Sequence, residues 1–258
     1  MSKKGSYLKK HSAELKEKGI LNQFSSVKVD ISEEMKSQFE EGKVLLIDKP
    51  LHWTSFDVVK KIRSIIRVRK VGHAGTLDPL ATGLLIVCTG KFTKSINEFM
   101  AQKKEYTGAF TLGAVTPTYD LESLPEQQKD ISKINEALIY ATTKIFTGEI
   151  DQMPPIYSAI KQEGKPLYEL ARRGKDIELK SRKVTVHSFE ITSIELPLVH
   201  FKIVCSTGTY IRSIANDYGY ELGCGAYLSE LRRTAIGEFS IGDSITIDHF
   251  MSGLNNTK

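Results

Sequence analysis

The 258-residue sequence has little of what staples small folds or holds metals. Its three cysteines, Cys88, Cys205 and Cys224, are widely separated, odd in number and without a CxxC pair. That excludes a disulfide framework and points to free thiols in a reducing compartment. None of the six histidines falls near a cysteine at ligand spacing, so no metal site is expected. The GxxxxGK[ST] phosphate loop is missing, as are internal repeats and low-complexity tracts. No segment approaches the roughly 18 apolar residues of a membrane span. The basic opening "MSKKGSYLKKHSAELKEKG" is followed by no apolar run or cleavage site, so a cytoplasmic protein with no membrane attachment is expected.

What is present describes an ordinary folded chain, with 40% hydrophobic and 26% charged residues. Lys and Arg number 36 against 31 Asp and Glu, a mild excess of +5 that is compatible with a polyanionic partner without requiring one. Residues 1–43 form an extension rich in lysine and glutamate, in which "ISEEMKSQFEEG" reads as a short helix capped by Ser32, burying Met35 and Phe39 and stopping at Gly42. The body, 44–250, opens with the strand-like "KVLLIDKP", and 251–258 form a tail. Thr54 or Ser55 then caps a helix with Phe56, Val59, Ile62 and Ile66 inward and Lys60, Lys61, Arg63, Arg67, Arg69 and Lys70 on its other positions.

Farther on, "LLIVCTG" and "EYTGAFTLG" read as strands and "FTKSINEFM" as a helix. Ser132 is expected to cap a helix whose stripe is Ile134, Leu138 and Ile145, and "PLYELARRG" reads as a short helix ending at Gly174. "KVTVHSFEITSIEL" and "LVHFKIVCSTG" alternate as neighbouring strands. "TYIRSIANDYGYELG" is a helix with Ile211, Ile214, Ala215 and Leu222 inward and Gly223 as its stop. Strands and helices mix without regular βαβ alternation, so the fold class is α+β.

The chemistry-bearing stretch is "VGHAGTLDPLATGLL", Val71 to Leu85. Pro79 pushes Asp78 toward extended dihedrals, and Gly72, Gly75 and Gly83 permit turns that other residues resist. A carboxylate held this way is oriented in advance, as chemistry requires. An Asp-Pro turn capping a nearby amide fits the local pattern equally well. A glycosidase would pair two carboxylates, and this loop offers one.

The stretch resembles the signature of the TruB family of tRNA pseudouridine synthases, "GHxGTLDPxATGxL", matched here from Gly72 to Leu85. "DKPLHWTSFDVVKKIR" is similar to the family's opening element, "KKEYTG" to its tyrosine strand, and "PPIYSAIKQEGKPLYELARRG" to its central segment. "CSTGTYIRSIANDYGYELGCGAYLSELRRTAIGEF" is similar to its C-terminal catalytic part. The resemblance runs in the correct order over about residues 44 to 240 and implies the pseudouridine synthase fold, a mixed, mostly antiparallel central sheet flanked by helices and loops.

It implies Asp78 as the catalytic aspartate, His73 as the loop histidine that contacts substrate RNA, and Tyr106 as the tyrosine that stacks on the target base. It further implies Tyr210 as a substrate contact, Arg212 as the partner of the aspartate and Leu231 as an apolar wall of the base pocket. An arginine beside a carboxylate favours its charged form. The implied activity is isomerisation of the T-loop uridine of tRNA, position 55, to pseudouridine by base flipping. It requires no cofactor, metal, guide RNA or second subunit.

The chain departs from the family pattern in several places. Too few residues follow "IGEF" for the PUA-type RNA-binding domain that many members carry, the N-terminal extension is additional, His52 stands where the opening motif usually has glycine, and Ala74 falls at a variable place. Competing readings are a guide-RNA-dependent synthase, an RNA chaperone that grips the T-arm without chemistry, and a base-excising glycosidase that would release free uracil.

Overall fold

The computed structural model describes residues 31–158 and 179–255, with the backbone of 161–162 and 165–166. In chain order the elements are α1 (Glu33–Glu41), β1 (Val44–Lys49), α2 (Ser55–Ile66), β2 (Val71–Ala74), β3 (Ala81–Thr89), α3 (Ile96–Ala101), β4 (Lys104–Leu112), α4 (Glu136–Thr143) and β5 (Gly148–Gln152). There follow β6 (Lys161–Gln162), β7 (Lys165–Pro166), β8 (Arg182–Glu195), β9 (Leu198–Cys205), α5 (Ile211–Glu221), β10 (Ala226–Ile236), β11 (Phe239–Ser240) and α6 (Ile247–Asn255).

One sheet organises the molecule in the order β1-β3-β10-β4-β9-β8-β5, with β2 also on β3 and β11 on β10. Every pair is antiparallel except β10 with β3, so the α+β expectation holds. Strand β3 is buried on both faces, which is why "LLIVC" is an unbroken apolar run. Leu85 and Val87 face a core shared with α1, α2 and α6, whereas Leu84, Ile86 and Cys88 face α3. A third core, centred on Phe110, Phe201 and Tyr218, lies between the rest of the sheet and α5.

The helix of the extension forms where its cap residues dictate. Ser32 accepts from Met35 N, Gly42 ends the helix, and Phe39 packs edge-on against Phe250 of α6 at 6.2 Å. Residues 1–30 lie outside the described residues. Helix α2 starts from Thr54, whose hydroxyl and Asp57 complete a reciprocal capping box. Its inward face is Ser55, Val58, Val59, Ile62, Ile65 and Ile66, leaving Phe56, expected inward, 61% exposed. The stripe i, i+3, i+4 starts at Ser55, and Phe56 lies 100° round from it.

A second correction concerns α4. Its cap is Asn135, while Ser132 bonds to Asp130. The later start turns Ile139 inward in place of Leu138 and Ile145, which are exposed. The helix expected up to Gly174 lies outside the described residues. All three cysteines are free and buried, and burial pushes the Cys88 and Cys205 thiols up to about 11, far from reactive.

Candidate active site

The site lies where the sheet is split. On one side of β3, β10 pairs with Ala81–Gly83 and β2 with Ile86–Thr89, so Leu84 and Leu85 have no strand beside them there. Buried Arg233 of β10 fills the gap, its Nε donating to Leu84 O at 2.8 Å and its Nη2 to Gly75 O at 3.1 Å. The loop 75–80, which carries Asp78, is thereby fastened at its entrance. Gly75 and Gly83 adopt φ of +91° and +103°, and a Cβ on Gly83 would lie 2.3 Å from Arg233 O. Gly72, expected to serve a turn, instead makes room for Ile96, whose Cδ1 would lie 2.7 Å from a Cβ there.

The far end of the loop is fastened to the β1–α2 connection. His52 N donates to Pro79 O at 2.8 Å, and the fully buried Lys49 ammonium reaches Trp53 O (2.6 Å), Pro50 O (2.9 Å) and Pro79 O (3.5 Å). Burial lowers the Lys49 pKa to about 8. Ser55 Oγ accepts from Leu77 N at 2.9 Å, and Arg232 forks onto Asp48 at 3.1 and 2.7 Å, tying β10 to β1 across β3.

Arg212, in the first turn of α5, meets the loop head-on. Its Nε donates to Asp78 Oδ2 at 2.9 Å, its Nη1 to Thr118 O at 3.2 Å and its Nη2 to Tyr157 O at 3.1 Å. The guanidinium is 5% exposed and Asp78 34% exposed. A second carboxylate, Asp120, lies 3.5 Å from the same Nε. Burial opposes the Arg212 charge, but Asp78, then Asp120 and Glu122, outweigh it and hold its pKa above the ordinary arginine value. Burial also raises the Asp120 pKa, against the pull of Arg212 and of hydrogen bonds from Thr118 and Glu122. A small pocket of about 20 Å³ opens on this cluster, walled by Leu80, Ala81, Leu228 and Leu231.

Of the residues singled out in the sequence, Asp78, Arg212 and Leu231 therefore share one pocket. Tyr106 stands behind it in the core, 9% exposed and directly across from Arg233 in the β4–β10 pairing. Burial raises its phenol pKa. His73 lies opposite Val87 on β2, its imidazole pKa lowered by burial and then by the Arg233 charge. Tyr210 caps α5, its backbone bonded both ways to the Gln152 amide and its ring 4.8 Å under Arg182. None of these last three lines the pocket.

Two basic side chains of the surface serve the fold, Arg63 on α2 and Lys183 on β8. Arg63 caps Val71 O at 3.0 Å and Lys183 pairs with Glu149 at 2.7 Å. Asp120 and Arg233 escaped the sequence reading. Asp120 sits in "TPTYDLE" without a glycine or proline beside it, and Arg233 is the second of two adjacent arginines in "LRRT" with nothing local to mark it. Among the described residues no three His, Cys, Asp or Glu side chains are grouped to hold a metal, and no helix is long and apolar enough to cross a membrane.

Comparison with known proteins converges on one family. The model for the N-terminal domain of TruB family pseudouridylate synthases matches residues 63–211, and that for the tRNA pseudouridylate synthase B C-terminal domain matches 212–257. A tRNA pseudouridine synthase B of Flavobacterium johnsoniae is 54% identical over 224 residues, covering 84% of this chain and 98% of the relative. Its counterpart in Chloroherpeton thalassium is 51% identical over 222 residues, covering 84% and 92%.

Among solved structures, a Cbf5-Nop10-Gar1 complex superposes with TM-score 0.66 at 30% identity, over 89% of this chain and 61% of that one. An H/ACA RNP bound to a substrate RNA containing 2′-deoxyuridine gives TM-score 0.63 at 29% identity, over 88% and 59%. The chain thus spans about 60% of those two structural relatives' length. The Asp78–Arg212 pair joins the two matched segments, and the chain belongs to the TruB family of pseudouridylate synthases.

Proposed function

We propose that the protein converts the T-loop uridine of tRNA, position 55, to pseudouridine, acting as a monomer without guide RNA, with residues 44–250 as its synthase domain. The observation that carries the reading is the Asp78 carboxylate, bonded at 2.9 Å to a buried guanidinium at the mouth of an apolar pocket. The reaction breaks the bond from uracil N1 to C1′, turns the base and joins C5 to C1′; the C5 proton is lost and N1 gains one. No electrons are exchanged with a cofactor. The enzyme must therefore hold a detached base and offer one reactive oxygen in a fixed place.

Arg212 occupies Asp78 Oδ2, and we assign Oδ1 to the reacting centre, whether it attacks C6, attacks C1′ or removes the 2′ proton. Leu231, Ala81 and Leu80 would flank the base with apolar surface, so that the detached uracil is retained by exclusion of water. The pocket is partly open to solvent, so the base would enter from its open side. Tyr106, its phenol pKa raised by burial, offers a π face and a neutral hydroxyl. His73, on the strand leading into the Asp78 loop, is assigned to the space left in the RNA by the flipped nucleotide. Extrusion costs a few kcal/mol, offset by stacking and pocket hydrogen bonds.

The test uses a T-arm stem-loop RNA tritiated at uridine C5. The expected result is tritium release without free uracil, abolished by Asp78→Asn and slowed by His73→Ala on folded tRNA. Free uracil would indicate a glycosidase. Tight binding without tritium release would indicate a T-arm chaperone, and release only with an added guide RNA would indicate the guided branch.

A further inference from the structure

Helix α5 carries Arg212 in its first turn but brings no side-chain cap of its own. Tyr210 stands at the N-cap position with extended dihedrals and makes no capping bond through its phenol. The turn is fastened instead from the edge of the sheet. Gln152, the last residue of β5 and 1% exposed, accepts from Tyr210 N at 2.8 Å and donates to Tyr210 O at 3.0 Å, so its amide pairs with that residue as a neighbouring strand would. One residue on, Met153 O accepts from Ser213 Oγ at 2.7 Å.

Arg182, the register partner of Gln152 across the β5–β8 pairing, grips the same segment. Its Nη2 donates to Gly208 O, and its guanidinium lies over the Tyr210 ring, 4.8 Å from the centroid, where the ring attracts a cation. Arg182 Nε is buried with no hydrogen-bond partner among the described residues, a cost that an arginine turned to solvent avoids. Neither Gln152, Arg182 nor Tyr210 lines the pocket. The link from this grip to the Asp78 carboxylate is Arg212, two residues beyond Tyr210 on the same turn, with its Nε 2.9 Å from Oδ2. A shift of about 1 Å in the turn takes that bond beyond hydrogen-bonding range, and misplacement on that scale costs on the order of a hundredfold in rate.

We propose that Gln152 and Arg182 are positioning residues for the reaction: by holding the peptide and the ring of Tyr210 they set the turn of α5 from which Arg212 reaches Asp78. The inference rests on the proposed function for the reaction whose rate it changes. The placement of Arg212 is also read without turnover, which separates the two.

The variants are Arg182→Met and Gln152→Met, which keep the stem and lose the bonds, made in the full chain and again in Arg212→Lys. On tritiated T-arm RNA, Arg182→Met should lower kcat by roughly tenfold to a hundredfold with KM little changed. In the Arg212→Lys background it should lower kcat no further, because its effect passes through the missing guanidinium. By nitrogen-15 NMR the Arg212 Nε–H, identified by its loss in Arg212→Lys, should exchange with water roughly tenfold faster in either variant than in wild type. A raised KM with unchanged kcat would make Arg182 an RNA contact. Losses that multiply with Arg212→Lys would place its effect elsewhere, and an Arg212 Nε–H as protected as in wild type would show the turn unmoved; each of these overturns the proposal. Should Gln152→Met fail to fold, Arg182→Met, at a partly exposed position, decides the matter. If the wild type forms no pseudouridine, the proposed function fails, while the hold on α5 is still judged by the exchange of Arg212 Nε–H.

Discussion

Replacing Arg212 by methionine keeps most of the side-chain stem and removes the charge, so its consequences isolate what the guanidinium does. Three hydrogen bonds disappear, to Asp78, Thr118 O and Tyr157 O. The larger effect falls on Asp120, whose carboxylate is 6% exposed and loses the cation 3.5 Å away. Removing one partner of a buried ion pair costs about 3–5 kcal/mol, because the remaining charge is neither hydrated nor paired. Asp78, a third exposed, adds less, since water screens it.

With a urea dependence of about 1–3 kcal/mol per molar, such a loss moves the unfolding midpoint down by about 1 M or more. Adding Asp120→Asn to Arg212→Met removes the stranded charge and should restore much of that loss, while turnover on T-arm RNA stays abolished in both, since Asp78 is no longer held. Urea titrations followed by circular dichroism read the first effect and tritium release the second. Equal stability of wild type and Arg212→Met, with no recovery in the double variant, would refute the reasoning that one buried cation balances two carboxylates.

Three further outcomes follow from the same geometry. Gly83→Ala forces a Cβ to within 2.3 Å of Arg233 O at φ +103°, and overpacking with backbone strain should cost roughly 2–6 kcal/mol, seen as a fall in melting temperature; an unchanged melt contradicts the close approach of β3 and β10. Lys49, its pKa lowered from 10.5 to about 8 by burial, binds fewer protons folded than unfolded between those values, so stability rises with pH across that window by about 3 kcal/mol. Lys49→Met should flatten that rise, which unfolding midpoints at pH 8 to 10 would detect. Asp120, raised by burial, has the opposite sign: its stabilisation is complete below pH 3.8 and is lost as pH rises through its folded value. Wild type should therefore weaken relative to Asp120→Asn as pH rises above 3.8, and parallel stability curves would count against this.

Local signals decided how much could be read from the chain alone. The caps Ser32 and Thr54, the apolar run of β3 and the stop at Gly223 act within a few residues, so the elements they bound were legible. Ser132 failed because a competing acceptor, Asp130, lies two residues away and takes its hydroxyl, and the face of α4 turned with its start. Phe56 shows the limit of apolar patterning at a first helical turn. A ring there can stay exposed when a small polar residue, Ser55, is needed inside to accept from Leu77 N. Asp78 was legible because proline and glycines surround it in sequence. Arg212 and Leu231 carry no such local mark and were reached only through the family motif, while Asp120 and Arg233 depend on contacts formed over 90 residues or more.

The means by which the loop is held explains why its cations had to be buried. Arg233 and Lys49 donate to backbone carbonyls, at Leu84 and Gly75 and at Pro50, Trp53 and Pro79. A charged donor forms stronger bonds than a neutral one, and an ammonium or guanidinium can satisfy several carbonyls that no strand reaches. The penalty is desolvation, visible in the pKa of Lys49, lowered to about 8. In return the loop is fixed from behind by groups that do not touch the Asp78 carboxylate, while Arg212 fixes that carboxylate from the front. The two restraints are independent, so loosening the rear anchor should displace Asp78 together with its peptide, and removing Arg212 should free only the side chain. That difference predicts that Arg233→Met lowers stability and RNA turnover together, whereas Arg212→Lys, which retains a cation but not the fork, lowers turnover more than stability; the same ratio of the two losses in both variants would contradict the division of labour.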